Sequence, residues 1–209
     1  MRVAKDSIRA SSLTSAKEIT KPTDTRTDTK KRRLQTTRVV ESAAGAPRML
    51  TGPERYELTL TPTVYTLDRK FCGFACKKRI PKLYVVSADG KLVYVGVTHQ
   101  PMSNRLRYGF KAKGKGGYYG YAWRNKHTRV SLYVWAAQAD TDSSVLETIE
   151  AEVVFLARHS TGAWPDCQTE IHFHQASDAH KRAARCVERN RIKLAPGNAT
   201  TRRAANGQA

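Results

Sequence analysis

The segment KLYVVSADGKLVYVG, at residues 82–96, constrains the fold of this chain more than any other segment. Two apolar runs flank Asp89 and Gly90, and glycine accepts the positive φ that a tight turn requires. The segment therefore predicts an antiparallel β-hairpin. Each predicted strand carries one tyrosine, Tyr84 in the first and Tyr94 in the second. Tyrosine is common in strands, so core packing explains either phenol when it is taken alone.

Residues 55–175 are predicted to form one folded domain, because apolar residues recur there with the periods of strands and helices. The further predicted elements are a strand at 56–65 that Pro62 interrupts or leaves at an edge, a helix opened by Pro101, a strand at 130–138, a helix at 144–157 with Ser144 and Glu147 in a capping box, and a strand at 169–174. This order predicts an α+β fold, in which helices pack on a small, mostly antiparallel sheet.

The two ends of the chain are basic. Residues 1–50 predict a disordered arm, residues 176–195 a basic helix, and residues 196–209 a disordered tail. The chain has 37 Lys and Arg against 18 Asp and Glu, which gives a formal charge of +19. Such an excess favours nucleic acid as the partner, because binding releases counterions from the phosphates. A solvated basic surface without a dedicated partner is the alternative.

Targeting signals and cysteines bear on the compartment. The sequence has no apolar run long enough to span a bilayer and no signal peptide with an apolar middle region. It therefore predicts a cytoplasmic protein without a membrane partner, and association with the nucleoid is compatible with the charge. The four cysteines are expected to be reduced. A tetrahedral zinc site made by Cys72, Cys76, His172 and His174 is an alternative use for two of them.

Two charged side chains are candidates for chemistry because they border predicted apolar helix faces. Glu150 has apolar neighbours one turn away, including Leu146 and Val153. A carboxylate there needs a cation, a donor or a metal, unless it is a surface residue whose stem covers apolar groups. The guanidinium of Arg105 suits a phosphate, although periodicity alone favours a salt bridge or a nonspecific DNA contact.

The segment KAKGKGGYYGYAWR, at residues 111–124, combines lysines, glycines and aromatic residues. Lysine contacts phosphates, glycine allows close approach of the backbone, and aromatic faces stack on bases. A flexible surface loop with its aromatic rings folded onto the core is the alternative. The predicted contacts with nucleic acid are Lys111, Lys113, Lys115, Tyr118, Tyr119 and Arg124.

Taken together, the tyrosines, the arginine and the glutamate resemble the GIY-YIG nuclease superfamily, over about residues 80–175. Residues 82–84 stand where the family has its first triplet, and residues 94–96, Tyr-Val-Gly, stand for the second. The segment Ser-Asn-Arg-Leu at 103–106 is similar to the one that carries the family's arginine, and Glu150 resembles its metal-binding glutamate.

The chain departs from the family pattern in two places. The first triplet keeps only its tyrosine, and Gln168 stands near the position where the family has an asparagine. Glutamine offers the same amide donor and acceptor on a longer stem. The segment WPDCQTEIHFH around it is similar to a bacterial subgroup of GIY-YIG proteins, and His172 within it is a further candidate to assist the site.

The resemblance implies an endonuclease that hydrolyses phosphodiester bonds in DNA with one divalent metal, Mg²⁺ or Mn²⁺, on Glu150. Tyr84 would accept a proton from the attacking water as a phenolate favoured by nearby positive charge, since its ordinary pKa is about 10. Arg105 would stabilise the charge on the phosphate, and Tyr94 would orient the water or the phosphate. A protein of the same fold that binds DNA or RNA without cleaving it is the alternative.

Overall fold

The computed structural model describes residues 49–196 of the chain. The predicted disordered arm at 1–50 and the predicted disordered tail at 196–209 lie outside the described residues, except at their innermost positions. None of the helices in the described part is long and apolar enough to cross a bilayer.

The described strands form one five-stranded sheet in the order β2-β1-β5-β3-β4, and every neighbouring pair is antiparallel. The predicted hairpin supplies β3 and β4, with the turn at Asp89 and Gly90. The strands are β1 (Thr51–Leu60), β2 (Tyr65–Leu67), β3 (Lys82–Ala88), β4 (Lys91–Thr98) and β5 (Arg129–Ala136). The α+β class and the antiparallel sheet are therefore confirmed.

Four α-helices are described, and three of them lie at predicted sites: after Pro101, at 144–157 and in the basic segment. Their bounds are α1 (Met102–Lys111), α2 (Trp123–Lys126), α3 (Ser143–Thr161) and α4 (Asp178–Lys193). Side chains alternate along the strands, so the sheet has two apolar faces. One packs with Met102, Leu106 and Trp123 of α1 and α2, and the other packs with α3 and α4.

Two of the predicted elements differ from the structure. The strand predicted at 56–65 ends at Leu60, because the chain turns around Pro62 and returns as β2. The strand predicted at 169–174 is wrong, since residues 168–177 have no regular secondary structure. The backbone just before them runs beside β4 instead, where the Cys167 N–H donates to the Val93 carbonyl at 3.1 Å.

The start of α3 corrects the predicted capping box. The helix begins one residue earlier than expected, and Asp142 is the N-cap, with its carboxylate accepting from the Ser144 N–H at 2.8 Å. Glu147 contacts His174 instead of returning to the cap. The aspartate accepts a hydrogen bond from an otherwise unpaired N–H, and its negative charge interacts favourably with the helix dipole. A serine cap would provide only the hydrogen bond.

We predict that Asp142→Ala lowers the thermal unfolding temperature by a few degrees, because α3 loses its N-cap. Ser143→Ala is the matched control, since that exposed side chain makes no capping bond. Calorimetry of the two variants beside the wild type provides the measurement. If Ser144→Ala lowered the unfolding temperature more than Asp142→Ala, Ser144 would be the N-cap, as the sequence predicts.

Candidate functional site

Position 96, the last of the second triplet, has space only for glycine because Tyr84 of the first triplet lies against it. Tyr84 and Gly96 are paired across β3 and β4. A Cβ atom on Gly96 would lie 2.6 Å from the Tyr84 hydroxyl and 2.9 Å from the ring of Tyr94. The two tyrosine rings lie on this same surface, with their centroids 5.9 Å apart. Any larger residue at position 96 would displace them.

Arg105 on α1 reaches this pair, as the sequence predicts. Its Nε donates to the Tyr84 hydroxyl at 3.2 Å. The same hydroxyl lies 3.2 Å from the hydroxyl of Tyr121, whose ring lies 5.8 Å from the guanidinium carbon. Tyr121 belongs to the aromatic loop and was not among the predicted site residues. No periodicity in that glycine-rich loop distinguishes it from the tyrosines beside it.

Gln168 joins the glutamate to the edge of the sheet. Its amide Nε2 donates to the Glu150 carboxylate at 3.2 Å and to the Glu170 carbonyl at 2.9 Å. Its Oε1 accepts from the Val95 N–H at 2.9 Å. Val95 lies between Tyr94 and the glycine of the triplet, so α3 and β4 are tied together beside the two tyrosines.

The carboxyl group of Glu150 is poorly solvated. The residue is 6% exposed, and burial raises its pKa to about 7, while the amide of Gln168 and the charge of Arg105 oppose the shift. The nearby carboxylates of Glu147 and Glu170 add to it. At and below neutral pH, a full negative charge at this position therefore requires a compensating cation.

The state of Tyr84 differs from the expected phenolate. Its side chain is fully buried, and this burial raises its pKa well above the usual value, although Arg105 acts in the opposite direction. Desolvation outweighs the single charge, so the free protein keeps a neutral phenol there. Tyr94 is less buried than Tyr84, although burial and the neighbouring Tyr84 raise its pKa as well.

The first triplet departs from the family at Lys82, and the structure gives that lysine a packing role. Its ammonium is completely buried and donates to the carbonyls of Lys77, Ile80 and Gln100 at 2.7, 2.8 and 3.1 Å. Burial lowers the pKa of Lys82 to about 8. The bond to Gln100 holds the chain directly before α1, the helix that carries Arg105, and the other two hold the chain before β3.

The structure does not assemble the four residues of the alternative zinc site, Cys72, Cys76, His172 and His174. Among residues 49–196, no three or more His, Cys, Asp and Glu side chains are placed so that they could hold a metal ion together. The Cys76 thiol donates to the Phe71 carbonyl at 2.8 Å, and the Cys72 sulfur lies 3.7 Å from the Tyr56 hydroxyl. With residues 168–177 irregular, the histidines also do not share the face of a strand.

His172 and His174 each lie against a glutamate, away from the two tyrosines and Arg105. His174 Nε2 lies 2.8 Å from Glu147, and His172 Nε2 lies 3.4 Å from Glu170. The His172 side chain is 56% exposed and, within the described part of the chain, makes no hydrogen bond to Tyr84, Tyr94 or Glu150. The structure therefore brings together Tyr84, Tyr94, Arg105, Glu150 and Gln168, and leaves His172 at their periphery.

The glycine-rich loop divides into a buried part and an exposed part. Tyr121 is buried, Tyr119 is 74% exposed, and the ring of Tyr118 stacks on Tyr108 with centroids 5.2 Å apart. Lysines 111, 113 and 115 are exposed, as a phosphate contact requires. The guanidinium of Arg124 donates to four carbonyls of the surrounding chain, so for this residue the structure favours a role in holding the loop.

In comparisons with protein-family models, curated proteins and solved structures, nothing matched this chain. The resemblance to GIY-YIG nucleases therefore rests on the residues themselves and on the contacts that they make.

We predict that Glu150→Gln changes the pH dependence of stability. The folded wild type holds its proton up to a pKa of about 7 and the unfolded chain only to about 4.5, so its stability falls as pH rises between these values. Below pH 4.5 the two proteins should be similarly stable, and above pH 7 the variant should be more stable by on the order of 3 kcal/mol. Urea unfolding at several pH values measures this gap. Glu152→Gln, on the same helix, is the control, and a gap that is independent of pH would contradict the prediction.

We also predict that Gly96→Ala destabilises the protein by about 1–3 kcal/mol, because the new methyl group overlaps Tyr84. In a Tyr84→Ala background the same change should cost less, since the atoms at 2.6 and 2.7 Å are then absent. Chemical denaturation of the four proteins completes this double-mutant cycle. An equal cost in both backgrounds would show that the two residues do not compete for space.

Proposed function

We propose that this protein is a metal-dependent endonuclease of the GIY-YIG type, which hydrolyses phosphodiester bonds in DNA. The observation that carries the proposal is the convergence of separate elements on one edge of the sheet. Arg105 from α1 bonds to Tyr84 of β3, and Gln168 bonds to both Glu150 of α3 and β4. The same residues are the ones that the resemblance selects, although they lie up to 84 positions apart in sequence (168 − 84).

The surroundings of Glu150 fit a single hard divalent cation. Its charged form is disfavoured by burial, and the hydrogen-bond partner that reaches it is an uncharged amide, so a cation is needed to balance it. Mg²⁺ and Mn²⁺ accept sites with one or two carboxylates, completed by waters and substrate phosphates. When bound there, the metal neutralises charge on the scissile phosphate and on the leaving oxygen.

Three side chains would contact the phosphate, orient the water and position the arginine. Arg105 presents guanidinium N–H groups to the phosphate, and its bond to Tyr84 orients it. Tyr94 keeps access to solvent and therefore orients the attacking water. Tyr84, buried and protonated, acts chiefly by positioning Arg105 in the free protein, which is a different role from the general base that the resemblance implies.

DNA as the substrate is supported by charge and by the exposed half of the loop. The formal charge of +19 attracts a polyanion, and exposed lysines of the loop lie on the same segment as exposed Tyr119. Lys111, Lys113, Lys115, Tyr118 and Tyr119 are the proposed contacts.

A binding protein that does not cleave is the second candidate, and one observation favours it. Tyr84 and Glu150 are both buried and both hydrogen-bonded within the protein, so packing alone accounts for them. Such a protein would use the same basic surfaces on DNA or RNA without needing a metal.

We predict that the purified protein nicks or linearises supercoiled plasmid with Mg²⁺ or Mn²⁺ and that Glu150→Ala reduces the rate at least about 100-fold. The reason is that the substitution removes the proposed metal ligand. Gel electrophoresis of the plasmid measures the rate, and a chelator should abolish it. Glu152→Ala, on the same helix, is the matched control.

DNA binding by Glu150→Ala should remain, which separates cleavage from binding. Equal cleavage by the wild type and Glu150→Ala would sink the nuclease proposal. No cleavage by the wild type, together with binding by both proteins, would establish the binding protein instead. Tyr84→Phe and Tyr94→Phe then assign the phenols, because a proton acceptor should alter the pH profile of cleavage and a positioning residue should not.

A further inference from the structure

The last helix carries a row of cations on its outer side. The cations lie three and four residues apart along α4, so they share one face of the helix. All of them are exposed, and they are Lys181, Arg182, Arg185, Arg189 and Lys193. Over this stretch α4 is about 18 Å long. Asp178, at the N-terminus of α4, lies on the same face by helical position and is its acidic residue.

The cations of this face have no anionic partner among residues 49–196. None has a carboxylate oxygen within 4.0 Å. Arg191, on the opposite side of α4, contrasts with them, because it is buried, pairs with Glu188 and donates to the Gly90 carbonyl at 2.8 Å. Arg191 and the buried residues Ala184 and Val187 dock the helix, which turns the row of cations outward.

The same face borders a groove between α3 and α4 with a volume of about 550 Å³. Arg185, Arg189 and Lys193 line it from α4, and His159 and Ser160 line it from α3. Glu188 also reaches the groove, but both of its oxygens are bonded to Arg191. Leu156 and Ile192 also line the groove, so its wall is partly apolar. Its polar lining offers guanidinium, ammonium and hydroxyl groups, which bind phosphate oxygens in protein–DNA complexes, together with an imidazole.

We propose that this face of α4 and the adjoining groove bind the phosphate backbone of duplex DNA, as a surface additional to the candidate catalytic cluster. The inference rests on the proposed function only in taking DNA as the ligand. Duplex DNA carries one charge per about 1.7 Å of axis, so an 18 Å row of cations faces several phosphates at once. The cations contact the phosphates and not the base edges, so the binding should not depend on DNA sequence.

The test compares Arg185→Gln/Arg189→Gln with Lys70→Gln/Lys91→Gln, each built in the Glu150→Gln background so that DNA stays intact. Both pairs remove two exposed cations, but the second pair lies outside α4. Affinity for a duplex of about 30 base pairs is measured by fluorescence anisotropy at several salt concentrations. The α4 pair should lose about tenfold or more in affinity, and the slope of log K against log salt should fall by about 1.8. In the control pair, the affinity and the slope should each change by only a small fraction of these amounts.

Three results would overturn the inference. An equal loss in both pairs would mean that only net charge matters, and no loss in the α4 pair would mean that the face is solvated. If Arg185→Gln/Arg189→Gln weakened binding to phosphatidylserine vesicles but left DNA affinity unchanged, the face would be assigned to a membrane surface. Circular dichroism confirms that each variant is folded, and Lys181→Gln/Arg182→Gln replaces the α4 pair if it is not. Because cleavage is not read, failure of the nuclease proposal leaves this result interpretable.

Discussion

The covering of the outer edge of β4 is the constraint on which the candidate site depends. An edge strand presents unpaired N–H and C=O groups that other chains can extend. Here the Cys167 N–H donates to the Val93 carbonyl, and the Val95 N–H donates to the side-chain oxygen of Gln168. The second of these bonds also places Gln168 against Glu150. The residue that covers the edge of the sheet, Gln168, therefore also holds Glu150 near Tyr84 and Tyr94.

Much of the scaffold was predictable because it rests on local rules. The turn at Gly90, the proline before α1 and the apolar stripe of α3 each act within a few residues of their own position. The strand predicted at 169–174 failed because a short alternating pattern does not show whether a partner strand is free to pair. Similarly, Ser144 and Asp142 are both capping residues, and only the path of the chain decides between them.

The candidate site was only partly predictable for the same reason. Spacing on a helix indicated that Glu150 and Arg105 lie at the border of the core, and the resemblance selected Gln168. The partners of these groups are distant in sequence, so burial and its effect on ionisation could not be derived from the chain alone. Tyr121 shows this most clearly, because its bond to Tyr84 spans 37 residues and no pattern marks it. The protonated state of Tyr84 is a consequence of that same enclosure.

The hydrogen bonds of Arg124 determine how the aromatic loop meets a ligand. One side chain binds the carbonyls of Gly109 and Phe110 at the end of α1 and those of Ala112 and Tyr119 in the loop. A segment rich in glycine would otherwise lose much conformational freedom when it closed on a ligand. With these four hydrogen bonds formed, the entropy loss occurs during folding, so a nucleic acid bound as proposed would meet a preorganised surface rather than a lid that closes by induced fit.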